Sequence, residues 1–112
     1  MEPLFETRIG AFVMRSKVWS SVYTEGVRAS WPMSKISFFK DYLVLKVLYK
    51  TFEIKYTDIE YINKIITGIQ IHHHAKDVDK YVYISGIGNG SILYKKLKKV
   101  IAEHNLKIRI ED

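Results

Sequence analysis

Apolar and polar residues alternate along the middle of the chain, which is the pattern of β-strands that bury one face. The alternation predicts six short strands, at residues 34–39, 42–49, 52–56, 59–66, 69–74 and 80–85. Polar pairs at Lys40-Asp41, Lys50-Thr51 and Thr67-Gly68 predict tight turns between them. No strand–helix–strand unit occurs, so the pattern favours an antiparallel sheet over a parallel one.

After these strands the spacing of the apolar residues changes. They now recur every three or four positions, as on the buried face of an amphipathic helix, at Leu93, Leu97, Val100 and Ile101. Asn89-Gly90-Ser91 suits the start of this helix and Asn105 suits its end. Residues 106–110 alternate again, which predicts a last short strand or a tail docked on the sheet.

The first 24 residues give conflicting signals. Helical spacing relates the apolar residues Phe5, Ile9, Phe12 and Val13, and Pro3 suits a first helical turn. Gly10 and the β-branched residues argue against a helix, and residues 18–23 could form a short strand. We therefore divide the chain into an N-terminal segment, 1–24, without an assigned structure and one domain, 25–112.

Composition narrows the class of protein. The chain has 112 residues, 47% of them hydrophobic and 27% charged, which fits one globular domain. It has no cysteine, which excludes disulfides, cysteine-bound metals and a cysteine nucleophile. Charges interrupt every apolar segment before it could span a bilayer, and the acidic N-terminus does not resemble a signal peptide. We expect a cytoplasmic protein that can also associate peripherally with the membrane.

The charge balance points to anionic partners. Lys and Arg total 18 against 12 Asp and Glu, a formal charge of +6. Lys95, Lys98 and Lys99 lie together on the predicted helix, opposite its apolar stripe. They are candidates for contact with the phosphates of nucleic acid or lipid, although a lysine face is also common on the solvated side of a surface helix.

The histidine run His72-His73-His74 is the one candidate for metal binding. On a strand, His72 and His74 would project from the same face and could share an ion. Two ligands do not complete a zinc site, so no metal or other cofactor is expected. No serine–histidine–acid set or carboxylate pair stands out either, and we expect a protein that is not an enzyme.

Several segments in order along residues 26–108 resemble one group of domains. They are Ala29-Ser30-Trp31-Pro32-Met33, Lys40-Asp41-Tyr42-Leu43, the stretch from Phe52 to Ile59, the stretch from Gly68 to His74, and Tyr81-Val82-Tyr83-Ile84-Ser85. With the terminal helix, this order is similar to that of the small prokaryotic pleckstrin-homology-like (PH-like, GRAM-related) domain proteins of unknown function.

The resemblance implies a bent antiparallel barrel of about six or seven strands, with a C-terminal amphipathic helix that plugs one end. It also implies a binding module rather than an enzyme. Phosphoinositide-binding members use lysines and arginines around the first hairpin. The comparable positions here are Lys35, Lys40 and Lys46, with Lys50 as a further candidate. The dense Lys-x-Arg cluster of those members is missing in this chain.

Three functions follow in order of preference. The first is a non-catalytic PH-like module for protein interaction or self-association, since unpaired strand edges and the tail 106–110 can accept another strand. The second is electrostatic binding of anionic membrane lipid through the surface lysines. The third is binding of nucleic acid through the same charges.

Overall fold

The computed structural model of the protein describes residues 2–14, 26–76, 78, 80–86 and 90–111. In this part of the chain there are eight β-strands, one α-helix and a short 3₁₀-helix at Tyr56–Asp58. They are β1 (Phe5–Met14), β2 (Gly26–Phe38), β3 (Tyr42–Val47), β4 (Lys50–Lys55), β5 (Ile59–Ile65), β6 (Gly68–His73), β7 (Tyr81–Ser85), α1 (Gly90–His104) and β8 (Ile110–Glu111). The mainly-β class with one C-terminal helix is thereby confirmed for these residues.

All eight strands belong to one curled, open sheet in the order β4-β3-β2-β1-β7-β6-β5-β8. Neighbouring strands are antiparallel, except that β8 runs parallel to β5. The expected count of six or seven strands is wrong, because β1 and the two-residue β8 both join the sheet. The buried residues of the strands pack into one core with α1, whose buried face holds Leu93, Leu97 and Val100 as predicted.

The helical spacing of the N-terminal residues is misleading, because Phe5–Met14 forms β1 in the interior of the sheet order. Phe5, Ile9 and Val13 are four residues apart, and a spacing of four fits a strand of period two as well as a helix. Ile9, Ala11 and Val13, at every second position, all belong to the buried core, as residues on one face of a strand do. The strand suggested at residues 18–23 lies outside the described residues.

The pairing of β1 with β2 contains a large bulge. Ile9 pairs with Ser34 and Ala11 with Ala29, so the four residues 30–33 of β2 lie opposite Gly10 alone. Gly10 is needed here, because a Cβ would lie 2.5 Å from Ser85 Oγ and 2.8 Å from the Trp31 nitrogen. The bulge, which includes a cis Trp31–Pro32 peptide, makes part of β2 protrude from the sheet.

The turns and the tail differ in detail from the sequence predictions. The hairpin loops are Leu48-Tyr49 and Ile66-Thr67, because Val47 pairs with Lys50 and Ile65 pairs with Gly68. Both predicted turns therefore lie too far along the chain, by two residues and by one. The helix ends at His104, directly before the predicted stop residue Asn105, whose φ of 51° is left-handed. The tail then docks through buried residues before forming β8.

The 3₁₀-helix after β4 connects this edge strand to β5, which lies next to the opposite edge of the sheet. Tyr56 N–H donates to the Asp41 carbonyl at 3.0 Å, and its phenol donates to the Phe39 carbonyl at 2.5 Å. Burial raises the pKa of the Tyr56 phenol, so the group stays a neutral donor at physiological pH. These two bonds fix the chain where it leaves β4 to start β5.

Candidate functional site

Two of the predicted anion-binding lysines are direct neighbours across strands. Lys35 on β2 pairs with Lys46 on β3, and on its other side Lys35 pairs with Arg8 of β1. Their chain neighbours Ser34 and Val47 are buried, so the three cations lie on the outer face of the sheet. Opposed residues have Cβ atoms about 4.5–5.5 Å apart, a spacing at which like charges repel. We call Arg8, Lys35 and Lys46 the basic row.

One carboxylate lies beside this row. Glu6 Oε1 is 3.4 Å from Lys35 Nζ, and Glu6 Oε2 accepts a hydrogen bond of 2.7 Å from Ser37 Oγ. That hydrogen bond, with a smaller contribution from Lys35, holds the pKa of Glu6 below its usual value. Glu6 therefore stays ionised and balances part of one lysine charge, which leaves the basic row with a net positive charge.

A group of exposed apolar side chains adjoins the basic row. Met33 is 64% exposed, Leu48 is 46% exposed and Tyr49 is 84% exposed. The Ser34–Val47 pair places Met33 beside the β3–β4 loop, and Lys50 follows that loop as an exposed residue. We call Met33, Leu48 and Tyr49 the apolar tip. Its residues come from two segments, the bulge of β2 and the β3–β4 hairpin, and they lie next to Lys46 and Lys50.

The remaining candidate of the first hairpin lies elsewhere. Lys40 is at the corner between β2 and β3, whereas the apolar tip is at the opposite end of β3. Six residues of strand separate the two ends, a length of roughly 17 Å. The structure thus groups Lys35 with Lys46 and leaves Lys40 outside the group.

The three predicted helix lysines are exposed, and two of them interact with side chains of the helix itself. Lys99 Nζ is 3.8 Å from Glu103 Oε1 one turn on, and Lys98 Nζ lies 5.3 Å from the centre of the Tyr94 ring. Lys95 is also exposed. Lys96, which the sequence did not single out, instead lines a cavity together with the Lys35 and Arg8 side of the sheet.

His72 is engaged on the outer face of the sheet. Its ring stacks on Tyr61 with centroids 4.1 Å apart, and its Nε2 lies 2.6 Å from Asn63 Oδ1. Both neighbours belong to β5, the strand that pairs with His72 in the sheet. A stacked ring with one nitrogen already bonded is not arranged to bind a metal.

His74 has different neighbours. Its Nε2 lies 3.4 Å from Asp58 Oδ1 and its Nδ1 lies 3.8 Å from Glu60 Oε1. Between the two histidines, His73 is buried and accepts the Ala75 N–H at its Nδ1. Among the described residues there is no group of three or more His, Cys, Asp or Glu that could hold a metal ion.

Comparison with known proteins does not assign the chain to a family. No family model, no curated protein and no solved structure matches the chain. Within the described residues, no helix has the length and apolar character required to cross a bilayer. The functional argument therefore depends on the basic row and the apolar tip themselves.

Sequence reasoning missed several residues of this site for identifiable reasons. Arg8 was missed because its segment had helical spacing, so no cross-strand partner could be assigned to it. Met33 is placed by a bulge that the alternation does not reveal. The alternation extends the predicted strand to Tyr49, and the misplaced turn therefore conceals the exposure of Leu48 and Tyr49. The useful signal was the predicted Lys40-Asp41 turn, because a hairpin with that loop pairs Lys35 with Lys46.

Proposed function

We propose that the protein is a non-catalytic binding module that docks on anionic membrane surfaces through the apolar tip and the lysines around it. The observation that carries this proposal is the juxtaposition of three exposed apolar residues with the basic row and Lys50. Apolar side chains can enter the interfacial region of a bilayer while neighbouring lysines contact acidic headgroups. Stable membrane association commonly needs two such signals acting together.

The backbone of Leu48 supports this proposal. Leu48 has a φ of 56°, in the left-handed region that Gly and Asn adopt most readily. A leucine there is unfavourable for the backbone and, being exposed, contributes little to the core. Local rules favour a small or polar residue at this position, and departures from local rules concentrate at functional sites.

We infer further that the curled sheet is PH-like. The supporting feature is the strand order, in which an antiparallel meander of β1 to β4 and a second meander of β5 to β7 are joined by pairing of β1 with β7. The following helix packs on β5 and β6. A curled antiparallel sheet followed by one C-terminal helix is the part of the implied fold that supports this proposal, while the sheet itself is open between β4 and β8.

Strand edges favour protein self-association less than the sequence suggested. β8 of the same chain pairs with β5, at Ile62 and Asn63. At the other end of the sheet, the unpaired side of β4 carries Lys50, Glu53 and Lys55, and charged edge strands resist pairing with another chain. The membrane proposal rests on a feature that these edges lack, a cluster of exposed apolar residues among cations.

The test is co-sedimentation with phosphatidylcholine vesicles, with and without phosphatidylserine, at low and high salt. We expect binding to the acidic vesicles only, and loss of that binding at high salt. The double variants Leu48→Ser/Tyr49→Ser and Lys46→Gln/Lys50→Gln should each weaken it by about tenfold or more, since one lysine near an acidic surface contributes about 1 kcal/mol. Ile66→Ser, at the tip of the other two-residue hairpin, is the matched control and should bind as the parent does.

Two outcomes would contradict the proposal. One is equal binding of the parent chain to neutral and acidic vesicles. The other is a loss of binding in Ile66→Ser as large as in the apolar-tip variant, since that would make exposure of any apolar residue sufficient. Circular dichroism of each variant verifies that the sheet is intact.

A further inference from the structure

We propose that an acidic, extended peptide segment of a partner protein binds in the groove between the free edge of β1 and the start of α1. β1 pairs with β2 from Phe5 onward, but it pairs with β7 only over Gly10–Met14. Residues 5–9 of β1 therefore have no strand on that side within the described chain. The beginning of α1 lies there instead and leaves a cavity of about 500 Å³.

The backbone of β1 presents unpaired groups to this groove. The hydrogen bond from Phe39 N–H to the Tyr42 carbonyl fixes the alternation, so odd-numbered residues of β2 face β3 and even-numbered ones face β1. Their partners on β1 are the odd-numbered residues, such as Thr7 opposite Ile36. Glu6 and Arg8 consequently direct their N–H and C=O groups away from β2. They have no backbone partner among the described residues, and they lie where a peptide strand could pair.

The charges around the groove select an acidic segment. Arg8, Lys35 and Lys96 line it, and Glu6 is the one carboxylate among the described residues of the lining. Glu6 is already engaged by Ser37 and Lys35, so it opposes an incoming acid less than a free carboxylate would. Arg8 and Lys96 lie on opposite walls of the groove, because Arg8 belongs to β1 and Lys96 to α1. Arg8 donates to the Pro32 carbonyl at 3.4 Å and interacts with Glu6 through charge, so Glu6 is the single acid among the described lining residues against three cations.

The groove also has an apolar margin. Trp31 from the bulge of β2 and Ile92 from the first turn of α1 both line it, and both are exposed. A peptide in a strand conformation directs alternate side chains to opposite sides, so acidic and apolar residues in alternation would meet the cations and this margin separately. A strand edge recognises a peptide backbone, which favours a peptide over a lipid or a nucleic acid as the occupant.

The test uses a fluorescein-labelled short peptide in which glutamate and valine alternate, with binding followed by fluorescence anisotropy at low salt. Two control peptides separate the contributions. One replaces glutamate with lysine, and the other keeps the glutamates but is N-methylated at every backbone amide, so that neither of its edges can donate to a neighbouring strand. We expect binding of the first peptide alone. Equal binding of the lysine peptide, or of the N-methylated peptide, would overturn the proposal.

Variants of Glu6 separate charge from backbone pairing. Glu6→Gln removes the carboxylate and keeps the amide, so the acidic peptide should bind as tightly as before or more tightly. Glu6→Pro also removes the N–H that faces the groove, and should weaken binding by about fivefold or more, the value of one hydrogen bond. If charge alone held the peptide, both variants would bind it more tightly, and the proposal would fail. If Glu6→Pro does not fold, the N-methylated peptide still tests backbone pairing, because it removes the hydrogen-bond donors of the peptide instead of those of β1.

Lys96 offers a second matched pair. Lys96→Gln should weaken binding of the acidic peptide several-fold, whereas Lys95→Gln, the same change at an exposed position outside the groove, should leave it unchanged. Equal effects of the two variants would show attraction to the whole helix surface instead. The apolar-tip variant Leu48→Ser/Tyr49→Ser should still bind the peptide, so failure of the membrane proposal and failure of this one are distinguishable.

Discussion

The two tight hairpins of the sheet invite comparison, because both close with two-residue loops that expose an apolar side chain. In the β3–β4 hairpin, Tyr49 is 84% exposed, and in the β5–β6 hairpin, Ile66 is 91% exposed. Lys46 and Lys50 flank the first loop, and the bulge of β2 adds Met33 beside it. Ile66 is the more exposed of the two residues. However, the position after the loop that Lys50 holds in the first hairpin is held by Gly68 in the second.

The difference shows that exposure of an apolar residue is a weak functional signal by itself. Single exposed apolar residues are common on protein surfaces. At the β3–β4 loop, Leu48 and Tyr49 are consecutive, Met33 lies on the neighbouring strand, and lysines accompany them. Leu48 also occupies a backbone conformation that suits leucine poorly. In the β5–β6 hairpin the constraint comes from packing instead. Gly68 directly follows the loop, and a side chain at this position would collide with β7.

The largest expected effect concerns Gly68 and its counterpart in the other hairpin, Lys50. Each is the first residue after its loop, paired with the last residue before it. A Cβ on Gly68 would clash with the backbone carbonyl of Ile84, so Gly68→Ala should lower the free energy of unfolding by about 3 kcal/mol. Lys50→Ala should change it by no more than about 0.5 kcal/mol.

Urea denaturation of both variants makes this comparison. Similar stabilities for Gly68→Ala and Lys50→Ala would mean that β6 and β7 can separate at no cost. The β5–β6 hairpin would then not be the more constrained of the two.

A smaller effect, of opposite sign, is expected at Leu48. Asn tolerates the left-handed backbone better than Leu, so Leu48→Asn should raise the free energy of unfolding by about 0.5–1 kcal/mol. The same variant should bind acidic vesicles less well, because it removes an apolar residue from the tip. Urea denaturation measures the stability of this variant and co-sedimentation measures its binding. A gain of stability with a loss of binding would show that Leu48 is kept at a cost to the backbone, unlike Ile66, where φ is not positive. A loss of stability would mean that Leu48 contributes packing that its exposure does not indicate.

The smallest expected effect is a change in the pKa of Glu6, which lies on the outer face of the β1–β4 part of the sheet. Ser37→Ala removes the main cause of the lowered pKa of Glu6, so that pKa should rise toward 4.5. Because the pKa is depressed in the folded chain, the stability it contributes is present above about pH 4.5 and is lost as the pH falls through the folded value. NMR titration of the Glu6 side chain in the parent and in Ser37→Ala measures the shift. An unchanged pKa in Ser37→Ala would assign the depression to Lys35 and Arg8.

The sequence predicts the elements whose pattern is local. The strands around Leu43 and Ile54, the helix stripe from Leu93 to Val100 and the stop at Asn105 all follow from spacing and capping chemistry, and the structure confirms them. Lys35 beside Lys46 is also within reach of sequence reasoning, because the two-residue turn between β2 and β3 sets the register.

The remaining features depend on contacts between distant segments. β1 has spacing that suits either a helix or a strand, and only its pairing with β2 and β7 decides between them. The bulge at residues 30–33 lies opposite Gly10, which is closely approached by Trp31 of β2 and Ser85 of β7, and no local pattern records these contacts. Arg8, Met33 and Lys96 reach the candidate sites through these long-range contacts, and sequence reasoning consequently missed them.

The position of β1 between β2 and β7 has a consequence for how the chain reaches its native state. A strand near the beginning of the sequence lies inside the sheet, and one of its neighbours is the seventh strand along the chain. During synthesis β1 can pair with β2 early, but its other edge must wait until β7 has left the ribosome. Topologies dominated by such distant pairings fold slowly, in milliseconds to seconds, and expose unpaired edges meanwhile. In a nascent chain, the half of β1 that later contacts β7 is therefore the segment in greatest need of protection from aggregation.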